Sequence, residues 1–418
     1  MVNLPPEWGA DPVPPDKRVL RSYDVFFLWF SLAVGLLVLQ AGGAIAQLST
    51  AEVFAVAILG SLVGSLMLGL AGSLGSKYGV PTMVSLRAVL GLRGSYLPTI
   101  VNVVQLVGWS SFEILIMASS AMLIAGSFLG PFTLYFWIAV FASFCMLMSI
   151  GGPLVVIRQW LEKFAIWLTT GTTVFITYVI VSRFPSLLAS PGNGTLPFMV
   201  ALDLVIAMPI SWWPLISDYN RFAKTEKGAF AGTIAGYTLA NSWFYALGAL
   251  LTLAFVGQTP VSAIVSITFG GLALVILLVD ETDNGFADIY SGAVSIQNLK
   301  PKMRQWKLIL AITVISAFLA SMIPQNFQNT YYTFLLFIGA VFVPLLGVLA
   351  VDFFVIRKRQ YRPEEFYSSA KDFRVKPVIS WFVGIAAYFI FYFLTPLGSS
   401  IPAFVVSFVT LFLLERVT

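Results

Sequence analysis

Residues 267–288 read ITFGGLALVILLVDETDNGFAD, a long apolar run that ends in the acids Asp280, Glu281, Asp283 and Asp288. Between Lys227 and Lys300 the sequence holds no Lys or Arg. A carboxylate of this segment that lies at membrane depth is therefore protonated, hydrated, or paired with a group from another part of the chain. Ionisable groups placed that way are costly in lipid and mark an ion or substrate pathway. The competing reading puts the four acids at the mouth of the span, in contact with water.

Composition supplies the setting. The 418 residues are 58% hydrophobic and 15% aromatic, only 10% are charged, and the mean hydropathy is +0.89. Soluble globular domains carry about a quarter charged residues, so the chain reads as an all-α polytopic membrane protein. Stretches long enough to cross a bilayer, about 20 residues each, fall near 25–47, 53–76, 96–126, 131–150, 160–182, 197–217, 230–256, 263–297, 307–324, 331–356, 377–395 and 399–415. Twelve spans put both termini on one side. With that side cytoplasmic, the inner turns hold Lys77, Arg87 and Arg93, Arg158 and Lys163, Arg221 to Lys227, Lys300 to Lys307, and the cluster from Arg357 to Lys376. Together with the two tails they collect 23 of the 24 basic residues, all but Arg183, which is the positive-inside pattern. The net charge of +5 then belongs to loops facing anionic lipid and does not point to nucleic acid. A multi-pass protein of the plasma (inner) membrane is expected, with an uncleaved first span.

No histidine is present, and the single cysteine, Cys145, lies in an apolar run. Proton relays and cation sites must use carboxylates, hydroxyls, amides and carbonyls, which argues against a transition-metal or thiol enzyme. A sensor would need a soluble domain, and a channel a repeated filter motif; the sequence offers neither, so a transporter that is not an enzyme is expected.

Two spans are interrupted. The first reads WFSLAVGLLVLQAGGAIAQL, with Gln40 and Gly42-Gly43 at mid-membrane; the sixth reads VIAMPISWWPLISDYNRF, with Pro209 and Pro214 bracketing Ser211-Trp212-Trp213. Proline removes a backbone donor and glycine eases non-helical dihedrals, and the freed groups must face protein or a hydrated cavity. A lone interruption is commonly a kink or a close helix crossing. Paired interruptions in corresponding halves point to inverted repeats around a midplane site. In the third span Gln105, Trp109 and Glu113 recur at i, i+4 and i+8 and share one helical face. Glu113 has no basic partner in its helix. The acids of span eight can meet that face.

At these residues the chain resembles nucleobase:cation symporter family 1, which includes cytosine permeases and hydroxymethylpyrimidine and hydantoin transporters. The matching segments are GLRGSYLPTIVNVVQLVGW, ISDYNRFAK, DNGFADIYSGAVSIQNL and VPLLGVLAVDFFVIRKRQY, in order along the chain. The resemblance implies a LeuT-type architecture of twelve helices, a 5+5 inverted repeat plus two extra helices. Its parts would be a cytoplasmic tail (1–24), a first repeat (25–182), a second (197–356), a basic loop (357–376) and two further helices (377–418).

It also implies roles. Trp109 stacks on a planar heterocycle; Glu113 and Asp288 stand where relatives use Gln and Asn to bind the ring; Ser211 contacts substrate; Trp212 or Trp213 supplies a second aromatic face; Gly42 sits where the family places a substrate contact, and Gln105, from the stripe on span three, joins the substrate-binding set. A sodium site would draw on Val38 and Ala41 of the first span and on Val279, Thr282 and Asp283 of the eighth. Asp283 replaces a Thr, so it either strengthens a sodium site or carries a proton. Carboxylates accept where amides also donate, so a ring edge rich in N–H groups is expected, as in aminopyrimidines and aminopurines. The expectation is a symporter that needs no cofactor beyond Na+ or H+ as coupling ion. Its partners would be a small heterocycle and the lipid bilayer, with an amino-acid or other small-solute carrier as the alternative. Asp218, Arg221 and Asp352 read as structural anchors.

Overall fold

Residues 8–157, 164–324, 327–367 and 372–416 are described by the computed structural model. The basic residues Arg158, Lys163 and Lys371 lie outside the described residues, as does the start of the fifth expected span. The described chain is nearly all helix: α1 (Ser22–Ser31), α2 (Leu36–Ala44), α3 (Thr50–Tyr78), α4 (Thr82–Leu90), α5 (Tyr96–Ala125), α6 (Thr133–Gly151), the three-residue α7 (Pro153–Val155), α8 (Ile166–Arg183), α9 (Phe198–Ser211), α10 (Ile216–Asn220), α11 (Glu226–Ala254), α12 (Pro260–Val265), α13 (Gly270–Leu299), α14 (Gln305–Met322), α15 (Gln328–Ala350), α16 (Val375–Leu394) and α17 (Ser400–Arg416). Among the described residues seven helices are long and apolar enough to cross a membrane, and the bent pair α1–α2 makes an eighth.

Local chemistry sets the ends. Ser49 and Glu52 form a capping box at the start of α3, and Gly79 closes it in the left-handed conformation, the usual helix stop. The expected span 263–297 is instead two helices, α12 and α13. Phe269 sits between them at φ +56°, and a Cβ on Gly270 would stand 1.8 Å from the Ile264 carbonyl oxygen, so the chain turns there and only glycine fits.

Packing forms three groups. α1, α2, α3, α9 and α11 contact one another; α5, α6, α13 and α14 form a second set; α16 and α17 lie against α15. α2 of the first set touches α5 and α13 of the second.

The basic turns gather at one end of the bundle. Leu20 pairs with the strand-like segment Phe222–Lys224. Arg221 donates to the Gly9 carbonyl (2.7 Å) and to the Tyr290 hydroxyl, Arg87 holds Asn298 and the Phe366 carbonyl, and Arg359 pairs with Glu226. Asp352 is buried against Arg374 (2.9 Å) and Tyr361, and Asp218 accepts from the Thr82 N–H at the start of α4. These anchoring roles match the sequence reading of Asp218, Arg221 and Asp352. Burial pushes the Tyr367 phenol up to about 12, which keeps it a donor to the Ala10 carbonyl. The amino-terminal segment from Trp8 is thus bound to the bundle rather than trailing from it.

Candidate functional site

The first span breaks at Leu32–Gly35, where α1 and α2 meet at 63°. This corrects the expected break at Gln40 and Gly42-Gly43, which are helical residues of α2. Their glycines serve close packing: a Cβ on Gly42 would stand 2.4 Å from the Tyr245 carbonyl oxygen, and one on Gly43 2.9 Å from Thr252 Oγ1. The true break is held from α13. Glu281 Oε2 accepts from the Leu36 N–H (2.7 Å), and Asn284 Nδ2 donates to the Val34 carbonyl (2.9 Å). A helix start presents unpaired N–H groups and a positive dipole end, and Glu281 meets both.

Val38 and Ala41 are likewise residues of α2, which removes them from the unwound backbone that a cation site on this span would use. Val279 turns its side chain outward, 40% exposed, while its carbonyl accepts from Thr282 Oγ1 (2.7 Å). Asp283 is fully buried, with the Ser31 hydroxyl and the Asn284 N–H the donors nearest its carboxyl. Ser31, at the end of α1, donates to Asp280 (3.3 Å) with Asp283 beside it, and Thr169 of α8 faces Asp280. Among the described residues no three acids or cysteines converge closely enough to ligate one metal ion. A cation in this region would draw on Asp283, Asp280, the Ser31 and Thr282 hydroxyls and the unwound carbonyls together.

The stripe on α5 is buried on one face. Trp109 is held edge-on by Tyr331 (5.8 Å between centroids) and Phe334 (5.4 Å) of α15. Glu113 lies within hydrogen-bonding reach of Glu281, with Asp288 and Cys145 close by; Tyr237 and Tyr331 face it from α11 and α15. Gln105 sits two turns away, donating to Asn102 (2.7 Å), which in turn reaches Ser295 and the Pro214 carbonyl.

The sixth span runs as one stretch from Phe198 to Asn220; α9 continues through Pro209 to Ser211, and a 3-10 turn at Trp213–Leu215 that contains Pro214 leads into α10, so the expected interruption at Ser211–Trp213 is a local distortion placed around the second proline. Ser211 donates to the Met208 carbonyl (2.7 Å). Trp212 meets Trp29 edge to face (6.1 Å), and Tyr237 lies beside both indoles. Trp213 turns the other way: its Nε1 donates to the Phe342 carbonyl (2.9 Å) and its ring is fully buried against α15. The site is thus two aromatic walls, Trp109 with Tyr331 and Trp212 with Trp29, around Glu113, Glu281 and Asp288, between the broken first span and the 3-10 turn of the sixth.

The sequence matches the family of permeases for cytosine/purines, uracil, thiamine and allantoin over residues 12–413. The chain belongs to this permease family. It is 25% identical over 378 residues to a putative purine-cytosine permease of Bacillus subtilis (strain 168), covering 85% of this chain and 80% of that one. It is 25% identical over 317 residues to the cytosine permease of Escherichia coli (strain K12), covering 72% and 71%. Among solved structures, Mhp1, a nucleobase-cation-symport-1 family transporter in a closed conformation with bromovinylhydantoin bound, superposes with a TM-score of 0.85 over 98% of this chain and 95% of that one, at 18% identity. That likeness carries the fold. The chain is a multi-pass membrane transport protein of the nucleobase-permease type and not an enzyme.

Within the permease family's frame, Trp213 carries a small test. Trp213→Phe removes one donor from a buried carbonyl and should cost about 1 kcal/mol of stability, read as a lower unfolding midpoint, with ligand affinity unchanged. A loss of affinity would return Trp213 to the site. Glu281, Trp29 and Tyr331 line the site although sequence reading did not assign them roles. Glu281 was legible only as one of the four acids between residues 280 and 288; Trp29 and Tyr331 were ordinary aromatics in apolar spans.

Proposed function

We propose that the chain is a secondary active symporter that imports a planar nitrogen heterocycle, such as cytosine or a related aminopyrimidine or purine, coupled to Na+ or H+ by alternating access. One observation carries this reading: two aromatic walls enclose carboxyl groups between the broken first span and the 3-10 turn of the sixth, in a chain of this permease family. Trp109 stacks on the ring, with Trp212 as the second face. Glu113 and Asp288 read ring N–H groups, and Ser211, Gln105 and Gly42 stand at the border. The coupling ion sits near Ser31, Thr282 and Asp283, opposite the break of the first span.

The same reading takes α8, α11, α13 and α17 as spans beside the eight apolar ones, giving twelve, with inverted repeats over 25–182 and 197–356 and two further helices over 377–418. It puts the basic end of the bundle, residues 1–24 and 357–376 included, on the cytoplasmic side of the plasma membrane.

The test is thermal stabilisation of the purified protein by cytosine, hydroxymethylpyrimidine, adenine, guanine, hypoxanthine, uracil, allantoin and hydantoins, each in sodium or choline salt at two pH values. A bound ligand raises apparent stability by mass action. The expected result is a shift for an amino-substituted ring that depends on sodium or on pH. No shift with any compound, against a shift with amino acids, would overturn the reading.

A further inference from the structure

The contact between Glu113 and Glu281 joins the substrate face to the break of the first span. Glu281 places one oxygen on the Leu36 N–H, and its other oxygen receives nothing from any nitrogen or hydroxyl donor. What lies against it is the Glu113 carboxyl, within hydrogen-bonding reach from α5. Both side chains are buried. Two ionised carboxylates are acceptors only, so a hydrogen bond between them requires one proton. The groups facing the pair are Asp280, Asp283 and Asp288 of α13, Cys145 of α6, Tyr237 of α11 and Tyr331 of α15. Among the described residues no ion pair joins any of the five acids to a Lys or Arg. No cationic side chain supplies what the proton supplies.

We propose that Glu113 and Glu281 hold one transportable proton between them, and that Glu281 is the positioning residue through which substrate binding loosens the start of α2. When a ring N–H donates to Glu113, the shared proton moves wholly onto Glu281. A neutral carboxyl accepts more weakly from an N–H than a carboxylate does, so the hold on Leu36 relaxes and the broken span is freed to reorient. The proton enters from water on the side where substrate binds and leaves to water on the other side, with no further reactant. This rests on the transport reading above and adds to it a proton site separate from any cation at Asp283.

The full-length protein in liposomes with a trapped pH-sensitive dye provides the test. An inward gradient of the ring giving the largest thermal shift should drive protons inward through the native protein. In Glu281→Gln the number of protons moved per molecule of ring taken up should fall to near zero, whatever change the variant makes in ring affinity. Glutamine keeps an oxygen for Leu36 and an N–H for Glu113, so the fold is retained; Glu281→Asp, which keeps the proton on a shorter arm, should recover part of the movement.

Proton flux in Glu281→Gln equal to the native rate would overturn the proposal, as would substrate uptake by the native protein without proton movement. An infrared spectrum of the ligand-free protein separates this from failure of the transport reading. One protonated-carboxyl C=O band should vanish in both Glu113→Gln and Glu281→Gln, whatever the substrate proves to be. Persistence of every such band in both variants would refute the shared proton.

Discussion

Trp109→Ala weakens substrate binding by roughly 10- to 100-fold, because stacking of a ring on an aromatic side chain is worth about 1–3 kcal/mol by alanine substitution. The indole is positioned for that role before any ligand arrives. Tyr331 and Phe334 meet it at 76° and 74°, an edge-to-face geometry that fixes the plane of the ring. Truncation also opens a cavity, which lowers the stability of the ligand-free protein, so the informative quantity is the ligand-induced shift of each variant against its own ligand-free midpoint. Trp109→Phe keeps an aromatic face and should retain most of the affinity. If Trp109→Ala binds the ring within about twofold of the native protein, well below that 1–3 kcal/mol range, the ring is held elsewhere and the aromatic wall is packing.

The fold was legible where physics is local. Apolar length located the eight apolar spans, the distribution of Lys and Arg the shared basic end, and the prolines around Ser211–Trp213 the neighbourhood of the 3-10 turn in the sixth span. The break of the first span was not legible, since Gly42 and Gly43 carried the stronger local signal. In the folded chain their missing side chains make room for Tyr245, Thr252 and Pro260, and a glycine needed for a helix crossing looks in sequence like one needed for unwinding. The real break, Leu32–Gly35, is stabilised by Glu281 and Asn284, which lie about 250 residues further along the chain. No window of sequence around Gly35 contains the groups that satisfy its backbone.

The candidate site divides in the same way. The stripe Gln105, Trp109, Glu113 follows from helical spacing, and the structure keeps it on one buried face. The register of Trp212 and Trp213 depends on how the chain leaves α9. Spacing left that open, and the Phe342 carbonyl decides it by taking the indole N–H of Trp213. Glu281 is the clearest case of a role set by tertiary structure: the sequence assigned a role to Asp283 and none to Glu281 or Asp280, whereas the structure gives Glu281 a helix start on one side and Glu113 on the other.

Placing amides at Glu113 and Asp288, the two acids proposed to read the ring edge, should reverse substrate preference. The double variant Glu113→Gln with Asp288→Asn is expected to shift the affinity ratio from amino-substituted rings toward dioxo rings, cytosine against uracil or hydantoin, by roughly 100-fold or more. With the shared proton on Glu281, as in the substrate-bound pair, a carboxylate offers a ring only acceptors, so a ring carbonyl set against it leaves two acceptors facing each other in a buried site. Each such mismatch costs about 1–3 kcal/mol, and two positions are changed together. An amide can turn either its oxygen or its N–H toward the ring, which removes the penalty for a carbonyl and weakens the charge-assisted bond to an amino group. The single variants separate this effect from the shared proton. Glu113→Gln should lose substrate-driven proton movement as well as changing the ratio, because it breaks the pair with Glu281; Asp288→Asn should change the ratio alone. Competition binding against a panel of rings, read beside proton flux in liposomes, checks both. An unchanged cytosine-to-uracil ratio in the double variant would mean that these carboxyls do not touch the ring edge, and that the discrimination lies in the shape of the aromatic walls.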